Sequence, residues 1–200
     1  MSAYRAVRLL LSLRGRAATV VLLLCSMAPP SSAHVTENHT THAYEVSLPP
    51  GASLLNTLNN ASPIRHQGRV FHGYTTWHVR WNYQWQGKAD GSCAIASVDT
   101  RLTTAITLPQ LRTADAAERS RFDRYLAALT LHEEGHKRLG QKAAADIDRA
   151  ILKLRPTPTC QQLENAVHRV GHDILERTRQ SEIEYDRTTR HGCTQGACLP

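Results

Sequence analysis

The chain has 200 residues, with 24 Lys and Arg against 17 Asp and Glu, and eleven His. Four of the basic residues, Arg5, Arg8, Arg14 and Arg16, lie in the first 33 positions, which contain no acid, so 24 falls to 20 against 17 beyond them. The pI near 9.5 therefore comes largely from the amino-terminal stretch, and a surplus of three charges argues against a nucleic-acid or other polyanion partner.

The amino-terminal stretch reads as a leader. Residues 5–16 are positive, residues 17–27 are apolar, and Ser31-Ser32-Ala33 is the small-residue pattern cut by signal peptidase. Residues 1–33 are thus expected to be a signal peptide and residues 34–200 a single exported domain, in the periplasm or secreted. Eleven apolar residues fall short of the roughly 20 that span a bilayer, so no stable membrane span remains after leader removal. Cys25 offers a lipid-anchor alternative, which the bulk of Leu24 before it disfavours. Export brings an oxidising environment, in which Cys93, Cys160, Cys193 and Cys198 become disulfide partners. The short Cys193 to Cys198 loop favours that pair, leaving Cys93 for Cys160; zinc-binding cysteines are the weaker reading, because there is no CxxC pair.

In chain order, residues 34–42 are polar and expected to fray, residues 44–48 suit a strand, and Ser53 suits the cap of a short helix over 54–58. Trp77, Val79, Trp81, Tyr83 and Trp85 then alternate with polar residues, which puts all five on one face of a strand. After the Asp90-Gly91 turn, Ala94, Ala96, Val98, Thr100, Leu102, Thr104, Ile106 and Leu108 share one parity, so a long antiparallel hairpin is expected. Its aromatic face is expected to pack under helices; exposed instead, it would suit sugar rings. From Thr113 or Asp115 to Leu154 the chain has helical spacing, with an apolar stripe from Phe122 to Leu154. A further helix starts with Thr159 as cap and buries Leu163, Val167, Val170 and Ile174. Residues 184–200 read as an irregular tail. A sheet followed by helices gives an α+β fold.

The long helix contains His132-Glu133-Glu134-Gly135-His136. At i, i+4 the two imidazoles stand about 40° apart around the helix and about 6 Å apart along it, within reach of one zinc ion. Glu133 would be general base and acid for the water the ion activates. Measured from Phe122, the apolar stripe centres near about −30°, and His132, Glu133 and His136 fall at about −80°, +20° and −40°, all inward. His168 and His172 have the same spacing, but they lie at about 140° and 180° from the apolar side of their helix and are expected to be solvated. A catalytic zinc site has three protein ligands and an open position. The candidates for the third are Glu164, Glu176, Glu184, Asp186 and His191.

Gly73-Tyr74-Thr75-x-Trp77, Cys93, the HEEGH helix, Cys160, and the Y-D-x-x-T-x-H-G pattern at Tyr185, Asp186, Thr189, His191 and Gly192 together resemble the predicted secreted bacterial zinc-dependent proteases grouped as domain of unknown function 922. The resemblance implies a zincin-like metallopeptidase acting on a peptide or protein substrate, and it implies that the helix motif and the tail form one site. On that basis His191 is expected as third zinc ligand, with Asp186 as the alternative or as the carboxylate that orients a ligating imidazole. Gly192 would permit a tight turn beside the metal. Tyr185 would hydrogen-bond the developing oxyanion, or else simply pack. The competing class is a non-catalytic envelope protein with a structural zinc site or a glycan-binding aromatic face.

Overall fold

A computed structural model describes residues 35–66 and 68–200. The expected leader and the Cys25 anchor lie outside the described residues. The elements in chain order are strand β1 (Val35–Ser47), helix α1 (Leu54–Ala61), the short strands β2 (Arg65–His66) and β3 (Arg69–Val70), the long strands β4 (Tyr74–Gly87) and β5 (Cys93–Arg112), helices α2 (Ala116–Leu152) and α3 (Cys160–Thr189), and a 3₁₀ turn (Cys193–Gln195). This is an α+β fold.

β4 and β5 form the expected antiparallel hairpin, and β1 joins the far side of β5 in parallel, giving the order β1-β5-β4. The hairpin turns on Asp90, whose Oδ1 accepts from the Ser92 amide at 2.9 Å. The stretch expected to fray is instead strand: Val35 to His42 pair with Thr100 to Thr107. Its side chains carry no apolar alternation because most are exposed, so main-chain hydrogen bonding to β5 forms the strand. The parity expected along β5 holds from Val98 to Ile106 but fails at Ala96. The partners run Gln84 with Ser97 and then Trp85 with Ile95, so Ala96 is the extra residue of a bulge and is exposed.

The hairpin face is covered by the two helices. Trp77, Val79, Trp81 and Tyr83 pack against a core of Val98, Ala143, Ile147, Ile151, Val167 and Ile174. Glycines on the helices provide the seats: a Cβ at Gly140 would come 2.7 Å from Trp77 Cγ, and one at Gly171 would come 2.4 Å from Trp81 Cζ2. Two of the three tryptophans are thereby committed to packing, and only Trp85 stands half-exposed. A second core joins Val46, Leu48, Leu54, Leu58 and Leu111 to Phe122, Tyr125 and Leu129 on α2 and Ala197 in the tail. The HEEGH turn of α2 falls between the two clusters.

Asp115 caps α2 by accepting from the Ala117 and Glu118 amides, and Thr159 caps α3 through the Gln162 amide. The disulfides are Cys93–Cys160 and Cys193–Cys198, as expected. Among the described residues no helix is long and apolar enough to cross a membrane. The tail expected from residue 184 to be irregular is helical as far as Thr189, so Tyr185 and Asp186 sit on α3. His168 and His172 are exposed on that helix, as their phase required.

Candidate metal centre

The helical phase of α2 delivers its motif inward: His132 and Glu133 are each 4% exposed. The last turns of α3 face it. His132 Nε2 lies 3.2 Å and His136 Nε2 3.1 Å from the same Asp186 Oδ1. The other nitrogen of each ring also meets an acceptor, to which Nδ1–H can donate: His132 Nδ1 is 3.0 Å from Gln195 Oε1, and His136 Nδ1 is 3.3 Å from Glu182 Oε1. With Nδ1–H donating outward, neutral rings would turn both Nε2 lone pairs toward a carboxylate oxygen, an arrangement that calls for a metal ion or a proton between them. Three acceptors so placed repel one another unless a cation binds them.

His132, His136 and Asp186 form a group whose ligand atoms lie within 4.8 Å of one another and could hold a metal ion. Two imidazoles and a carboxylate fit a divalent metal in a site with an open position. Protonation responds to the same crowding. Burial alone would lower the pKa of His136, but hydrogen bonds to Asp186 and Glu182 and the charges of Asp186 and Glu133 raise it to about 9. Burial would raise Asp186, yet the His132 and His136 hydrogen bonds and the charges of His136 and His191 hold it well below the usual carboxylate range.

Glu133 is held from the sheet side. Thr75 Oγ1 is 2.7 Å from its Oε2 and 3.0 Å from its backbone oxygen. Gly73 makes the approach possible, since a Cβ there would stand 2.6 Å from Glu133 Oε1. Burial raises the Glu133 pKa, against the Thr75 hydrogen bond and the His136 and His132 charges, which lower it. Residues 71–73 are fixed by His72, whose Nε2 is 2.9 Å from Asn59 Oδ1 and whose Nδ1 is 2.6 Å from the Tyr125 hydroxyl. One cleft of about 540 Å³ is lined by Glu133, both motif histidines, Asp186, Thr75 and His191.

The family described as bacterial protein of unknown function (DUF922) matches residues 41–192. The chain belongs to the DUF922 family. The match takes in Thr75, the whole HEEGH motif, Asp186 and His191. Neither the curated proteins nor the solved structures offer a match.

In this DUF922 chain the expected site residues are brought together, with two changes of position. His191, expected as third ligand, stands outside the metal-capable group; its Nδ1 is 3.5 Å from Asp186 Oδ1 and its Nε2 is 3.3 Å from Arg69 Nη1. The alternative, Asp186, takes the third place, because continuing α3 to Thr189 carries its carboxylate to the imidazoles. Tyr185 does not line the cleft. Its ring stacks on His132 at 5.1 Å, and its hydroxyl donates to the His132 carbonyl oxygen at 3.2 Å and accepts from Gln195 Nε2 at 3.1 Å. Gly135 provides the room, since a Cβ there would come 2.0 Å from that hydroxyl. Glu164 and Glu176 stay exposed on α3, and Glu184 pairs with Arg187.

Three supporting residues were not anticipated, Glu182, Gln195 and Arg69, and Thr75 was named only within the Gly73-Tyr74-Thr75-x-Trp77 pattern, with no role at the site. Glu182 had a sequence signal. It precedes Asp186 by four positions, the same spacing as the two histidines opposite, and it also accepts from Trp77 Nε1 at 2.8 Å. Gln195 had none, because its place depends on the turn that the Cys193–Cys198 disulfide closes.

Proposed function

We propose that this protein is an exported zinc-dependent peptidase, in which His132, His136 and Asp186 hold the ion and Glu133 moves the proton. The observation that carries the reading is the convergence of two Nε2 atoms on one Asp186 oxygen, with the buried Glu133 carboxylate in the same cleft. Two disulfides are compatible with an oxidising compartment and with export.

A bound zinc ion would supply Lewis acidity, activating water and polarising the scissile carbonyl. The chain's own residues do the rest. Glu133, its affinity for a proton raised by burial, accepts one from the attacking water and returns it to the leaving amine. Thr75 keeps that carboxylate in one orientation, and proton transfer by a well-placed base such as Glu133 contributes about 10²–10⁴ in rate. Glu182 and Gln195 can accept from Nδ1–H of the two imidazoles. Tyr185 buttresses His132; to reach an oxyanion, its hydroxyl would have to leave two partners.

β4 is an edge strand whose first residues line the cleft, so its unpaired backbone groups can take an extended peptide as an added strand. That places a substrate chain past Gly73 and Thr75, beside Glu133. The test compares hydrolysis of an unstructured protein by the zinc-loaded wild type and by Glu133→Gln. Loss of turnover with zinc retained supports the mechanism, and undiminished turnover sinks it.

A further inference from the structure

The same cleft carries a second constellation that metal binding and proton transfer leave unused. α3 ends in three consecutive left-handed residues, Arg190 at φ 53°, His191 at φ 52° and Gly192 at φ 84°. Only glycine adopts that region without cost, and non-glycine residues held there are a strain that concentrates at functional sites. Here the strained pair is Arg190 and His191, and both line the cleft. The turn is held by the His191 amide donating to Asp186 O at 2.9 Å and by the Ala197 amide donating to Gly192 O at 3.0 Å.

Opposite them, β3 presents Arg69. Its guanidinium lies 5.3 Å over the Phe71 ring and 3.3 Å from His191 Nε2, while Phe71 meets the His191 ring edge-on at 5.6 Å. Packing against an aromatic ring and an imidazole fixes the direction of Arg69 without neutralising its charge. Among the described residues, Arg69 and Arg190 have no carboxylate partner, whereas their neighbour Arg179, also on the cleft, is bound by Glu176 through two hydrogen bonds. The acids on this side, Asp186 and Glu182, already face imidazoles.

We infer that Arg69 and Arg190, with His191 in contact with Arg69, form a subsite for a substrate carboxylate, so that the preferred substrate is a peptide bearing an acidic side chain or a free carboxy-terminus near the cleaved bond. An unpaired guanidinium in a concave site binds a carboxylate in two parallel hydrogen bonds and raises the local concentration of anionic ligands. This inference rests on the peptidase reading for what the peptide is used for, but its binding step does not require hydrolysis.

The experiment uses the full mature chain carrying Glu133→Gln, loaded with zinc, and a set of fluorescent hexapeptides. Their sequences differ only in Glu against Gln at each position in turn, and each is made with a free and with an amidated carboxy-terminus. Binding is read by anisotropy. A Glu peptide at one position, or the free-carboxylate series, is expected to bind about tenfold more tightly than its neutral partner, with the advantage shrinking at high salt. The two series separate a side-chain carboxylate from a terminal one. Arg69→Gln and Arg190→Gln should each reduce the advantage several-fold, and Arg69→Lys should restore only part of it. Equal binding of charged and neutral peptides, no binding by any peptide, or an advantage that survives both substitutions overturns the inference. Carboxylate-selective binding with no hydrolysis by the wild type would overturn the peptidase reading alone, and indiscriminate hydrolysis would overturn the subsite alone.

Discussion

Replacing Gly135 with alanine is a sensitive probe of how the site is assembled, because ordinary helix physics gives the opposite sign. At a free helical position, Gly→Ala stabilises by about 1 kcal/mol. Here the added methyl would sit 2.0 Å from the Tyr185 hydroxyl and 2.3 Å from its Cζ, against about 3.5 Å for a relaxed contact. The ring must retreat by more than an ångström. Its stacking on His132 and its two hydrogen bonds go with it. Overpacking costs about 1–3 kcal/mol and the two lost hydrogen bonds about 1 kcal/mol each, against the helix gain of about 1 kcal/mol, so the net change is a destabilisation of about 2–4 kcal/mol, or roughly 4–16 °C in melting temperature. Asp186 is the next residue along α3, so zinc affinity should fall about 10–100-fold as the ligand shifts. Calorimetry and competition against a chromophoric chelator measure the two effects. Adding Tyr185→Ala should relieve the clash, making the pair strongly non-additive. A melting temperature that rises with Gly135→Ala, at unchanged zinc affinity, would refute the packing described for the motif.

Three further outcomes can be checked. Thr75→Val removes a hydrogen bond that lowers the Glu133 pKa, so the acidic limb of the pH–rate profile should move to higher pH while kcat/KM falls about tenfold or more. In the metal-free protein the His136 pKa is raised to about 9, so its contribution to stability is complete below about pH 6.5 and is lost as pH rises through 9. Chemical denaturation across that range should show the decline, and zinc uptake at pH 8 should release about one proton per site, read by calorimetry in buffers of different ionisation enthalpy. Removing Cys93–Cys160, which spans 67 positions, should cost about 4 kcal/mol, against about 2 kcal/mol for Cys193–Cys198, which spans five. Only the second should weaken zinc binding, because it closes the turn that carries Gln195 to His132.

What the sequence conveyed and what it hid divide along physical lines. The hairpin and the inward phase of the HEEGH motif were legible because apolar periodicity reports directly which face is buried, and the 12 buried residues of α2 include both His132 and Glu133. The last third of α3 was not legible, because its inward face there carries Glu182, Tyr185, Asp186 and Thr189, polar residues directed at the site, and its one large aliphatic residue, Ile183, is 53% exposed. A helix that faces a site rather than a core has no hydrophobic stripe to read. Asp186 therefore stood second to His191 among the expected ligands, whereas the group that could hold a metal includes Asp186. The first half of β1 failed for a related reason: it pairs through its backbone at a sheet edge, where side-chain alternation is not required.

A metal held by His132, His136 and Asp186 is central to the proposed function, and its most direct measurement is zinc per chain, after dialysis, in the wild type, Asp186→Ala and His191→Ala. One zinc in the wild type, little in Asp186→Ala and nearly full occupancy in His191→Ala is the expected result. Full occupancy in Asp186→Ala, or a wild type that takes up no zinc, would contradict it.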